Sequence, residues 1–137
     1  MGIGSSIRNQ IEAVPQVGTG LPSADAQLEI WHGASGKPFL HLAYSLIQCP
    51  AMPKANYLLV RRGADGVRSV LKVGRVSHDA PSLNLAQIRQ EGAILGAQEV
   101  HLHVLARTDA ERILVEFDVA AANRADNPAD EAAVVHH

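Results

Sequence analysis

Two β-prone runs, residues 56–62 and 68–76, flank Gly63-Ala64-Asp65-Gly66, a linker whose glycines supply the positive φ that a hairpin loop requires. The pattern predicts two antiparallel neighbours, and any fold open to the chain has to be built around that hairpin. Beyond Pro81 and Ser82, a candidate cap, Leu85, Ile88, Gly92 and Leu95 share one helical face, and Gly96 stands where such a helix should stop. Residues 99–105 alternate, with Val100, Leu102 and Val104 on one side and His101 and His103 on the other, which predicts a strand with one covered face. Thr108 and Glu111 then form a Thr-x-x-Glu capping box ahead of Ile113, Leu114, Val115, Phe117 and Val119, so a second helix should begin at about Asp109. The order from Asn56 is strand, strand, helix, strand, helix.

Upstream, residues 28–32 read as a short strand followed by a turn at Gly33-Ala34-Ser35-Gly36. Residues 38–47 fit two periods: Leu40, Leu42, Tyr44 and Leu46 alternate, while Phe39, Leu42, Ala43 and Leu46 form a helical stripe. The strand is the expectation. Pro50 and Pro53 break the chain after it. The fold class that follows is α+β, a small antiparallel sheet flanked by helices and extended by N-terminal strands. At 137 residues there is room for one domain, expected over 28–122. Residues 1–27 mix Gly, Ser and Pro and read as a tail with a short helix over 7–14, and the Ala-rich, acidic residues 123–137 read as a second tail.

Composition narrows the function classes. The single Cys49 excludes an intrachain disulfide and a paired-cysteine zinc site, and it reads as a small buried hydrophobe. Twelve Lys plus Arg against fourteen Asp plus Glu give a net charge of −2, which excludes a wholly basic, histone-like profile. No apolar run approaches the roughly 18 residues that span a bilayer, so a cytoplasmic protein without a membrane partner is expected.

Several side chains are hard to explain as packing. Projected at 100° per residue, Glu116 falls between Val119 and Ala120, on the side of the last helix that must cover the sheet. A carboxylate there needs a cation or sits at the rim beside an arginine. Arg89 follows Ile88 near the edge of its own inward face. From Lys54 to Arg89 the chain carries seven basic residues (Lys54, Arg61, Arg62, Arg68, Lys72, Arg75, Arg89) against Asp65 and Asp79, a local +5. That distribution fits either a phosphate-holding surface or a hairpin laced by ion pairs. His101 and His103 share a strand face and could meet one metal, with His32, His41 and His78 as candidates in space, although a partly solvated polar face explains them as well. Phosphate-loop, dinucleotide-binding and nucleophile-elbow motifs are absent from the sequence.

The combination of Tyr57-Leu58-Leu59-Val60, Leu71-Lys72-Val73-Gly74-Arg75, Arg89 and Glu116, in that order, resembles the GIY-YIG nuclease superfamily over residues 56–122. The resemblance implies a three-stranded antiparallel core. Tyr57 would help activate the attacking water, Lys72-Val73-Gly74 would stand for the second motif, Arg89 would steady the scissile phosphate, and Glu116 would ligate a divalent metal, Mg or Mn. Ala55-Asn56 replaces the usual Gly-Ile, and Lys72 replaces the second tyrosine, as in divergent branches with Lys-Ile-Gly. His78 is a further candidate proton carrier, and Arg61, Arg62 and Arg75 are candidate nucleic-acid contacts. The first expectation is therefore metal-dependent phosphodiester hydrolysis, on DNA before RNA. The alternatives are an inactive module of the same kind that binds nucleic acid or protein, and an assembly protein whose residues 28–47 add strands to a partner.

Overall fold

A computed structural model describes residues 26–125. Its elements are β1 (Gln27–His32), β2 (Pro38–Ser45), β3 (Ala55–Arg62), β4 (Arg68–Val76), α1 (Pro81–Leu95), β5 (Glu99–His103) and α2 (Asp109–Ala125). The architecture is α+β: one antiparallel sheet of five strands in the order β1-β2-β5-β3-β4, with two helices. None of the described helices is long and apolar enough to cross a membrane.

The β3–β4 hairpin forms where its loop chemistry demands. Gly63 N–H bonds to Val67 O at 2.9 Å, Gly66 N–H bonds to Gly63 O, and Gly66 takes φ +84°. Residues 38–45 are strand, because β2 lies between β1 and β5 and both neighbours need its backbone groups. The sheet is covered on both faces. Leu42, Tyr44, Tyr57, Leu59, Val100 and Leu102 pack on one side with Ile88 of α1, whereas Trp31, Leu58 and Val60 pack on the other with Val119 of α2.

Several expectations are corrected. Ala80 rather than Ser82 precedes α1 as its N-cap and Pro81 occupies the first turn, where its missing N–H costs nothing. Asn84, fully buried, does the tying there: its side chain accepts from His78 N–H and donates to Met52 O and His78 O, each at 3.0 Å. Strand β5 ends at His103, and it is covered on both faces, because insertion between β2 and β3 makes it the central strand. The capping box forms, Glu111 N–H donating to Thr108 Oγ1 at 3.1 Å, although the Glu111 carboxylate accepts from the Thr108 hydroxyl at 3.3 Å and from Arg107 N–H rather than from the cap's own backbone N–H. Helix α2 continues through Asn123 and Arg124 to Ala125, beyond the expected boundary at 122, and Gln27 opens β1. The expected helix over 7–14 and the tails 1–25 and 126–137 lie outside the described residues.

The sheet is strongly coiled. Five flat strands spaced at ~4.8 Å would hold their outer strands roughly 19 Å apart. Here Arg68 on β4 bonds to Glu29 on β1 at 2.7 Å and lies 3.6 Å above the centre of the Trp31 ring, so the two edges curl toward each other over the α2 side. A second clasp holds the β1–β2 turn: Asp118 of α2 accepts from Ser35 N–H at 2.9 Å and from the Ser35 hydroxyl. Gly33 leaves the room, since a Cβ there would fall 2.2 Å from that carboxylate.

Candidate functional site

Pairing of Tyr57 with Gly74 and of Leu59 with Lys72 sets Tyr57 and Lys72 on the same face of the β3–β4 ribbon, under α1. Tyr57 lies flat across Gly74, where a Cβ would come within 2.8 Å of its hydroxyl. Their acid is Glu91, one turn beyond Gln87 in α1. Tyr57 Oη donates to Glu91 Oε1, Lys72 Nζ sits 3.0 Å from the same oxygen, and Gln87 Nε2 donates to Oε2 at 3.3 Å. Burial, then the neighbouring carboxylate, pushes the Tyr57 phenol above its ordinary value. Burial works against ionisation of Glu91, yet the bonds from Tyr57 and Lys72 outweigh it and hold that carboxyl below the usual range. Tyr57 is thus a neutral donor serving a fixed carboxylate whose two oxygens are already engaged.

Glu91 is the residue that sequence reasoning missed. On the α1 wheel it flanks the apolar arc on one side as Arg89 flanks it on the other, so the signal was present, but only the register of Tyr57 and Lys72 shows which flank faces polar partners.

Arg89 and Glu116 do not join this cluster. Arg89 is exposed and donates to the carbonyl oxygens of Ile47 at 3.0 Å and Cys49 at 3.4 Å, which fastens the 46–50 loop to α1. Glu116 is half-buried on α2 and pairs with Arg75, whose register partner Asn56 points to the α2 face and donates to Arg112 O. The sheet therefore lies between Arg89 and Glu116. His78 is exposed in the turn before α1. A magnesium or manganese ion fits poorly at Glu116, because a guanidinium already occupies its carboxylate. Among the described residues no group of three or more His, Cys, Asp and Glu side chains could hold a metal.

The basic segment is laced internally. Arg62 grips Glu99 through two nitrogens at 2.9 and 3.0 Å, which holds that carboxyl down to about 2. Arg61 donates to the carbonyls of Leu95 and Gly96, orphan acceptors at the end of α1. Arg68 is taken by Glu29, Lys72 by Glu91, Arg75 by Glu116, and Lys54 stands 3.3 Å from Asp79. Every cation counted toward the local +5 has a partner within the chain.

The three buried histidines are likewise committed. His101, fully buried, accepts at Nδ1 from Trp31 Nε1 at 2.9 Å and donates from Nε2 to Glu99 Oε1 at 2.9 Å. His103 donates to Leu40 O and His41 to Phe39 O, with their two rings 5.3 Å apart. Burial pulls His41 down to about 3 and lowers His101 and His103 too, so all three are neutral core groups rather than a solvated face. Cys49 is buried, and burial raises its thiol pKa, which keeps it protonated. No known protein family, curated protein or solved structure matches the chain.

Proposed function

We propose that the chain is a GIY-YIG-like module that binds protein rather than cutting nucleic acid, and that it associates edge to edge with a second copy of itself. The strand and helix order from β3 onward, with β3 between β4 and β5, supports the scaffold resemblance. The internal use of the hairpin cations and the separation of Arg89 from Glu116 favour the binding reading over the hydrolytic one.

One observation carries the reading. Leu28 and Ile30 on the edge strand β1 are 44% and 51% exposed, and Leu40, the cross-strand partner of Ile30, continues the same apolar stripe beyond the reach of α1. β1 is six residues long, free of proline and regular in register with β2, and among the described residues no strand pairs with its outer side, so those backbone groups offer a template there. Two such strands pairing antiparallel, with Leu28 opposite Ile30, bring each stripe against the other about a twofold axis.

Sedimentation of the full chain over a concentration series tests this. Association is expected for the wild type and its loss for Ile30→Lys. A wild type that stays monomeric, together with magnesium- or manganese-dependent cleavage of a plasmid that Glu116→Ala abolishes, would overturn the proposal and restore the hydrolytic reading.

A further inference from the structure

A groove of about 750 Å³ runs between the other edge of the sheet and the last turns of α2, lined among others by Trp31, Arg68, Val70, Val73, Asn123 and Arg124. Two features of it point to a ligand. First, β4 is an edge strand with no sheet neighbour on its outer side among the described residues. Second, the lining includes two guanidinium groups and no carboxylate, and Arg124 has no ion-pair partner among the described residues. The floor between these charges, Val70, Val73 and Ala120, is apolar.

We propose that this groove takes a short extended peptide of a partner protein, added to β4 as a sixth strand and carrying an acidic side chain next to an aliphatic one. The proposal rests on reading the chain as a protein-binding module, but it uses the opposite edge of the sheet from β1. Alternate side chains of an added strand point to opposite faces, so an aliphatic residue that enters over Val70 and Val73 leaves its neighbour at the rim, where Arg124 provides the opposite charge. The register shift at Leu59/Val60 makes Leu71 an extra residue in β4, which interrupts a regular ladder and limits the added strand to a few residues alongside 67–70. Nucleic acid suits the groove less well: the face of Trp31 that a base would stack on already carries Arg68.

Trp31 is the only tryptophan of the chain and lines the groove, so its fluorescence reports occupancy in the full-length protein. The probe is the capped pentapeptide Val-Glu-Val-Asp-Val, compared with Val-Lys-Val-Lys-Val and with an alternately N-methylated copy of the acidic peptide. Saturable binding of the acidic peptide alone is expected, weakened about tenfold or more by Arg124→Glu and unchanged by Ile30→Lys. Equal binding of the lysine or N-methylated peptide, indifference to Arg124→Glu, or competition between the peptide and self-association would each overturn the peptide site. Loss of association in Ile30→Lys is read separately by sedimentation, so failure of the groove and failure of the β1 reading give different results.

Discussion

The guanidinium of Arg68 lies 3.6 Å above the centre of the Trp31 ring, although the two residues belong to strands at opposite edges of the sheet. Glu29 bonds the same guanidinium, and the ring it covers donates to His101 on the central strand. Edge, centre and opposite edge are thereby joined in one polar chain within an apolar surround. Arg68→Met keeps the stem and removes the charge; it should lower stability by about 1 kcal/mol. A cycle with Trp31→Phe, read by urea unfolding, should give a coupling of about 0.5–1 kcal/mol. Strict additivity would show that the stack is incidental.

Gly74 has no room for a methyl group. A Cβ there would meet Tyr57 Oη at 2.8 Å and Cζ at 2.9 Å, and that ring is buried, held by Glu91 and closed in by α1. Gly74→Ala should cost about 1–3 kcal/mol, seen as a lower thermal midpoint. Gly36→Ala is a poor control because of its positive φ, whereas Ala64→Ser in the exposed hairpin loop should leave the midpoint nearly unchanged.

Acid should destabilise the fold in two stages. His41 is held neutral to about 3 in the folded chain against 6.5 when free, so the unfolded state takes up its proton first. Stability is full above about pH 6.5 and falls as the pH drops toward 3, by at most about 1.4 kcal/mol per pH unit for each such group. His101 and His103, lowered in the same direction, add to the slope. Glu99 contributes a second loss as the pH falls from 4.5 toward about 2, when protonation breaks its pair with Arg62. Unfolding free energies between pH 7 and 5 should therefore decline in the wild type and less steeply in His41→Gln; parallel slopes would contradict the assignment.

Glu116→Gln removes one side of a partly exposed ion pair with Arg75. The expected loss is under about 1 kcal/mol, with no change in peptide binding or self-association. A drop of several kcal/mol in chemical unfolding would mean that Glu116 does more than pair at the rim.

Local chemistry was well written into the sequence. Gly63 to Gly66 predicted the hairpin, Gly96 predicted the end of α1 and takes φ 73°, and Thr108 with Glu111 predicted the start of α2. The histidine strand shows what alternation leaves out. A histidine counts as polar in a period-two pattern, yet a neutral imidazole with both nitrogens bonded is a satisfactory core residue, and its donor here, Trp31, comes from a strand 70 residues away. Glu91 escaped for a related reason: helical periodicity ranks it with Arg89, and only the strands beneath separate them. Which face of the sheet each helix covers is a property of strand order, and no spacing within residues 109–125 could have told that Glu116 and Arg89 would be kept apart by the sheet.

Strand β5 lies between β2 and β3, so the two hairpins it separates in space are both synthesised before it. A chain emerging from the ribosome has two β-ribbons with no shared backbone ladder until residues 99–103 arrive to bridge them. Closure of the sheet is then a late, non-local event, and the half-built ribbons spend the interval with unpaired edges. The insertion of β5 at the middle of the sheet makes the fold dependent on the last third of the sequence for the unity of what precedes it.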